Sequence, residues 1–262
     1  MDSGKSQLQI VDITKSFPSN QEQIDVLDCI NLSISSGEFV SILGPSGCGK
    51  STIFNLIVGL IQPDSGVILL GDTPIHGVTG NFAYMQQNDL LLPWRTVIQN
   101  VVVSAEIQGK QKAKLEIKAA KLLEWIGLKG FEKSYPSQLS GGMRQRVALI
   151  RTLLLEKEML LLDEPFCRLD SITRSSMYQL LLKICQEWEK TVLLITHDIE
   201  EALLFSDRVY VLSDRPATVK DEIYVELERP RSVTNMEFIS YKQLLLDTLE
   251  VEAAECLDRI DF

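Results

Sequence analysis

GPSGCGKST, Gly44 to Thr52, fits the pattern G-x-x-x-x-G-K-[ST]. It stands between an apolar run, EFVSIL (38–43), and a helical one, TIFNLIVGL (52–60). In that context the stretch reads as a phosphate-binding loop. Glycines at 44, 47 and 49 let the backbone curl so that its N–H groups face a β-phosphate. Lys50 neutralises β- and γ-oxygens, and the Ser51 hydroxyl is a ligand for Mg²⁺. Gly44, Pro45, Ser46, Gly47, Cys48, Gly49, Lys50, Ser51 and Thr52 are therefore the candidate nucleotide-binding residues. Cys48, beside Lys50 and a helix N-terminus, is expected to be a stabilised thiolate. The loop itself does not choose between ATP and GTP, and no N-K-x-D guanine-reading sequence occurs.

A second anion-facing turn lies about ninety residues downstream, in YPSQLSGGMRQRVALIRTLLLEKEMLLLDEP (135–165). Ser140, Gly141 and Gly142 open a helical run and offer N–H groups at the positive end of its dipole. The same stretch ends on an apolar strand, MLLLD, followed by Glu164. A carboxylate at a strand end beside a phosphate loop suits Mg²⁺, which assigns Asp163 to the metal. Glu164, one residue on, suits a general base acting on the attacking water. His197 follows another apolar run, TVLLIT (191–196), at the same strand-end edge; taken alone, a lone histidine reads more simply as structural.

Working outward, short apolar runs recur at LQIVDI (8–13), GVILLG (66–71), RVYVLS (208–213) and IYVELE (223–228). Several lack polar alternation, as in strands of a mostly parallel sheet covered on both faces. KAKLEIKAAKLLEWIG repeats Leu115, Ala119, Leu122, Leu123 and Ile126 on one helical stripe, with Gly127 placed to end it. No convincing strand falls between Asp89 and Glu158, so this segment reads as a helical insertion. Phe238, Tyr241, Leu244, Leu245 and Leu249 mark a C-terminal amphipathic helix.

Charge and composition exclude other classes. The net charge is −10, and Asp221 to Phe262 holds eleven carboxylates against four basic residues. Without a basic cluster, nucleic acid is not an expected partner. No apolar stretch reaches the ~18 residues of a membrane span, and MDSGKSQLQI carries no basic-then-apolar signal. The chain is accordingly expected in the cytosol. Five scattered cysteines, Cys29, Cys48, Cys167, Cys185 and Cys256, suggest thiols rather than disulfides or a zinc site.

Together these motifs resemble those of an ABC transporter ATP-binding subunit, in order and spacing over essentially the whole chain. GPSGCGKST resembles the Walker A loop, LSGGMRQR (139–146) the signature, LLLDEP (160–165) Walker B and ITHD (195–198) the His switch. The resemblance implies an α/β fold: a P-loop NTPase core with a mostly parallel central sheet, an N-terminal antiparallel β portion and a helical insertion. Its outline would be one domain, 1–262, with a nucleotide-binding core (1–88 and 159–220), a helical subdomain (89–158) and a C-terminal strand and helix (221–262). It implies ATP and Mg²⁺ as ligands, Gln87 at the metal and attacking water, Phe17 stacked on adenine, Asp170 in the loop beyond Walker B, and His197 as γ-phosphate sensor.

The resemblance also implies that Ser140–Gly142 cap the γ-phosphate held by a second copy, so that two ATP molecules are sandwiched between protomers. DLLLPWRTV (89–97) and the ending SDRPATVKDEIYVELERPRS (213–232) look like the importer subgroup for nitrate, sulfonates, taurine and thiamine precursors. A separate integral-membrane permease is then the direct partner, with LPWRT in its docking groove. A solute-binding protein is an indirect partner, and the site of action is the cytoplasmic face of the membrane. The rival readings are a soluble ABC ATPase and a nucleotide-dependent switch; the first would need a long coiled coil or tandem cassettes, which are absent from this sequence. Two departures stand out: Met143 replaces the usual signature glutamine, and Cys167-Arg168 replaces a pair of small residues, putting a bulky side chain at an expected subunit contact.

Overall fold

The computed structural model describes residues 6–19, 22–109 and 112–258. They form β1 (Ser6–Pro18), β2 (Gln23–Ser35), β3 (Phe39–Leu43), α1 (Lys50–Ile57), β4 (Ser65–Leu70), β5 (Thr73–Pro74) and β6 (Phe82–Met85). There follow α2 (Val97–Val101), α3 (Val103–Ile107), α4 (Lys112–Trp125), α5 (Gly141–Leu153), β7 (Met159–Asp163) and α6 (Ser171–Glu187). The chain continues with β8 (Thr191–Thr196), α7 (Ile199–Phe205), β9 (Arg208–Leu212), β10 (Val219–Tyr224) and α8 (Met236–Asp258). Residues 1–5 of the N-terminal segment and 259–262 beyond α8 lie outside the described residues, as does the Cys256 side chain.

Two compact units result, residues 1–80 with 191–262, and residues 81–190. This division differs from the outline expected from the sequence. β6 and β7 pair in parallel, Phe82 opposite Met159 through Met85 opposite Leu162. They therefore stay together, and they fall with α6 in the second unit.

The first unit holds an antiparallel sheet in the order β2-β1-β4-β5. β1 extends well past the expected 8–13 because it has a partner on each side, β2 and β4. A second strand group runs β10-β9-β3-β8, with β3 parallel to both β8 and β9 and β10 antiparallel to β9. Every residue of β3, β8 and β9 is buried, which is why these runs carry no polar alternation. Each large apolar side chain so buried contributes ~1.5–3 kcal/mol. β10 ends at Tyr224, opposite Arg208, the first residue of β9, so most of the expected strand IYVELE lies beyond its partner. α8 packs Phe238 and Leu245 against Ala202, Leu203, Val209 and Val211. Leu244, expected on that stripe, is 46% exposed: 238 and 245 are seven residues apart and share a face, whereas 244 lies ~100° round the helix.

In the second unit α4 buries Leu115, Ala119 and Leu123, with Leu122 half-buried; Ile126 is buried just past its end, and Gly127 follows at φ +72°. The segment between β6 and α2 is pinned by the fully buried Asn100. Its amide donates to the carbonyls of Leu92, Arg95 and Thr96, and its Oδ1 accepts from Leu92 N. That clamp leaves Trp94 72% exposed, so this tryptophan does not pack the loop from inside.

Candidate functional site

The sequence-derived site residues fall in both units. In the first, β3 runs into the loop Gly44–Gly49, and α1 begins at Lys50. Gly47 and Gly49 take φ of +82° and +123°, the curl that turns successive N–H groups to one side. The Lys50 amino group folds back into its own loop, donating to Gly44 O at 2.8 Å and Pro45 O at 2.6 Å. No side chain caps α1, and its first turn holds no acid. The orphan N–H groups of that turn, with Ser51 exposed on it, suit an anion.

β3 and β8 are in parallel register with Leu43 opposite Thr196. Gly44 and His197 therefore leave the sheet side by side. His197 is exposed, and its neighbours are tied down. The Thr196 hydroxyl donates to Glu201 at 2.7 Å, and Asp198 caps α7 by accepting from the N–H groups of Glu200 and Glu201. A residue that sequence reasoning missed also reaches this loop. Arg215 Nη2 lies 3.0 Å from where a Cβ on Gly47 would stand. Arg215 stands in the stretch SDRPATV, where the resemblance assigns it no role, and the loop after β9 brings it in.

Cys48 corrects an expectation. It is 1% exposed, and burial pushes its thiol above the ordinary range despite the opposing effect of Lys50. It is a buried thiol, not a thiolate. Cys29, Cys167 and Cys185 are likewise thiols rather than disulfide partners. Phe17, near the end of β1, is half-buried and lines a cavity of about 620 Å³ with Ser16, Glu22 and Asp64. Lys15 Nζ sits 5.4 Å from its ring centroid. None of Gly44–Thr52 is among the described residues of that lining.

In the second unit, β7 delivers Asp163 at its buried end, 2% exposed. Burial and the Asp163 charge push the Tyr84 phenol above its ordinary range. Glu164 follows at φ +47°, a left-handed conformation that costs a non-glycine residue ~1–3 kcal/mol. Gln87 Nε2 donates to Glu164 Oε2 at 3.1 Å, which orients the carboxylate. The fully buried Gln145 donates to the main-chain Glu164 O at 3.3 Å. Gln145 stands inside the signature stretch LSGGMRQR (139–146), where the resemblance assigns a role to Ser140, Gly141 and Gly142 and none to this glutamine.

Ser140 is the N-cap of α5, accepting from Met143 N at 3.3 Å. Only the backbone of Met143 takes part, so the departure from glutamine leaves the cap intact. Gly141 and Gly142 are the first helical residues. A Cβ on Gly142 would lie 3.0 Å from Arg168 O, so this glycine serves close packing as well as any ligand. Asp170 caps α6 by accepting from Thr173 N at 3.0 Å, and that bond holds its carboxyl below the usual carboxylate range.

The sequence model described as ABC transporter matches residues 27–167, more than half of the chain. The taurine import ATP-binding protein of Yersinia pseudotuberculosis is 42% identical over 84% of this chain and 89% of its own length. The aliphatic sulfonates import ATP-binding protein of Rhodococcus jostii is 46% identical over 86% and 87%. Among solved structures, a dimeric ATP-binding cassette in a post-hydrolysis state, bound to ADP and Pi, superposes with a TM-score of 0.75 at 32% identity. It covers 84% of this chain and 100% of its own. With the phosphate loop, the acid pair and the signature turn all inside a family match of that extent, the chain belongs to the ABC transporter family, among its ATP-binding, ATP-hydrolysing cassettes.

Proposed function

We propose that this chain powers an importer of a small solute of the nitrate, sulfonate, taurine or thiamine-precursor type, closing on a second copy of itself around two ATP molecules. The observation that carries the enzymatic part is the Gln87–Glu164 bond of 3.1 Å, which aims a carboxylate at the end of the Walker B strand. The loop Gly44–Thr52 binds the phosphates through backbone N–H groups. Lys50 exchanges its two loop carbonyls for β- and γ-oxygens, and Phe17 stacks on the adenine. Ser51, Asp163 and Gln87 offer hydroxyl, carboxylate and amide oxygens, hard donors that fit Mg²⁺. Bound there, Mg²⁺ supplies shielding of the β- and γ-phosphate charge.

Glu164 takes a proton from water as the water attacks the γ-phosphorus, and ADP leaves with the bridging electron pair. His197 donates to the γ-phosphate. Ser140–Gly142 cap the γ-phosphate held by the second copy, and Asp170 sits beside that contact. Loss of phosphate removes the contact, and the copies separate. The exposed Trp94 and the adjoining Leu92 and Pro93 present the docking segment to a separate membrane permease. Among the described residues no helix is long and apolar enough to cross a membrane. The permease then anchors this subunit at the cytoplasmic face, with a solute-binding protein acting on the far side.

The test is phosphate release by wild type and Glu164→Gln, each alone and with co-purified permease. Glu164→Gln should bind ATP normally while turnover falls ~10²–10⁴-fold, and the permease should raise wild-type turnover. Normal hydrolysis by Glu164→Gln would overturn the base assignment, and indifference to the permease would overturn coupling to transport.

A further inference from the structure

Arg168 stands where the family pattern has a small residue, and its side chain closes a ring within the second unit. The ring starts at the Gln87–Glu164 hydrogen bond. One residue after Gln87, Asn88 Oδ1 accepts from Arg168 Nη2 at 3.3 Å. One residue further, Asp89 Oδ2 lies 3.8 Å from Arg168 Nη1. The chain returns from Arg168 to Glu164 through a tight turn, in which Cys167 N donates to Glu164 O at 3.4 Å and Leu169 N to Phe166 O at 3.1 Å. Arg168 lies four residues after Glu164, and its partners Asn88 and Asp89 lie one and two residues after Gln87, so it ties together the two segments that carry the Gln87–Glu164 bond.

The ring is also held to the signature helix. Asp89 accepts from Arg144 Nε at 3.0 Å, and Arg144 lies four residues after Ser140. Arg151, further along α5, donates to the main-chain carbonyls of Asp89 and Leu90 at 2.6 and 2.8 Å. Gln87 and Asn88 are exposed on a segment that follows a four-residue strand, so nothing in their own secondary structure fixes them. A side chain on such a segment spends much of its time out of productive geometry unless something orders it.

We propose that Arg168 is a positioning residue of this chain. It clamps residues 87–89 against the loop that follows Glu164, so that Gln87 and Glu164 keep their mutual geometry, and Asp89 links that pair to α5. Arg168 thereby acts within its own chain, in place of the subunit contact that its bulk suggested. The inference rests on the reading of Glu164 as the base.

The test is steady-state ATP hydrolysis by wild type, Arg168→Ala, Arg168→Lys, Asp89→Asn and the Arg168→Ala/Asp89→Asn double variant. Hydrogen exchange of residues 86–92 is followed in parallel. Arg168 is 40% exposed on its side chain, so its removal should leave the fold intact. The expected loss is ~three- to five-fold in kcat, with KM for ATP changed less than ~two-fold, in keeping with a partly exposed ion pair acting on the transition state. Exchange at residues 86–92 should quicken in Arg168→Ala. Arg168→Lys should recover part of the loss, because an ammonium reaches Asp89 but not both partners at once. The double variant should be no slower than the slower single, as expected when two changes break one contact.

Wild-type kcat in Arg168→Ala, a rise in KM alone, or losses that multiply in the double variant would each overturn the clamp. If Glu164→Gln is inactive while Arg168→Ala is normal, the clamp falls and the base stands. If Glu164→Gln hydrolyses normally, the base falls first.

Discussion

Replacing Gly49 by alanine tests how tightly the phosphate loop is built against the strand behind it. Gly49 has φ +123°, which costs an L-residue ~1–3 kcal/mol. The added Cβ would lie 2.8 Å from Val26 Cγ1 and 2.9 Å from Leu27 Cδ2. Both contacts are on β2, with Val26 and Leu27 only 7% and 2% exposed, so neither side chain has open space to move into. Overpacking of this kind costs a further ~1–3 kcal/mol. The total, ~2–6 kcal/mol, is a large share of the ~5–15 kcal/mol that holds a typical domain together. The loop can escape part of it by lifting away from β2, and the loss then appears as ATP affinity, because the N–H groups no longer converge. Gly37→Ala is the control: its φ is +75° with nothing within 4 Å, so it carries strain without collision. Urea unfolding and ATP titration of both variants separate the two effects. Gly49→Ala should be at least ~1 kcal/mol less stable than Gly37→Ala, or bind ATP at least ~ten-fold more weakly. Equal stability with unchanged ATP affinity would refute the reasoning.

The thiols and the C-terminal staple give further tests. Because burial raises the Cys48 pKa, its thiolate fraction at neutral pH is smaller than that of an ordinary thiol and grows only as pH climbs. With iodoacetamide the exposed Cys167 should label first and Cys48 at least ~ten-fold more slowly, by peptide mass spectrometry; equal rates would contradict the buried position. Arg231 donates to the carbonyls of Leu203, Ser206, Leu227 and Val225, joining the segment after β10 to the end of α7. Burial lowers its pKa to about 10. Arg231→Ala should cost ~2–4 kcal/mol in urea unfolding, and Arg231→Lys should recover less than half, since one ammonium cannot fork across four acceptors. A wild-type midpoint for Arg231→Ala would rule out the staple.

The strands that carry chemistry were legible because burial on both faces leaves its mark in composition. MLLLD and TVLLIT are β7 and β8 residue for residue. β2 was not legible, although Ile30, Leu32 and Ile34 alternate inward, because Asp25, Asp28 and Asn31 on its exposed face resemble a loop. β6, FAYM, is four residues long and lacks β-branched side chains, so its parallel partner β7 settles its conformation. For the site, each motif named its residues, and none named the bonds between them. The Gln87–Glu164 bond spans 77 positions and the Arg168–Asn88 bond spans 80. Cys48 shows the opposite error, in which proximity to Lys50 was legible and depth of burial was not.

The central claim is that each ATP site is built from two copies, and complementation tests it most directly. One chain carries Lys50→Ala and the other Ser140→Arg, each shown to be folded and each inactive as a homodimer. In a mixed dimer with shared sites, both defects fall in one composite site, and the other keeps Lys50, Glu164 and Ser140 intact. Mixed dimers isolated through two different tags should release phosphate above either parent. If each site were built within one chain, neither site of the mixed dimer would be whole, and activity no greater than that of the parents would contradict the account.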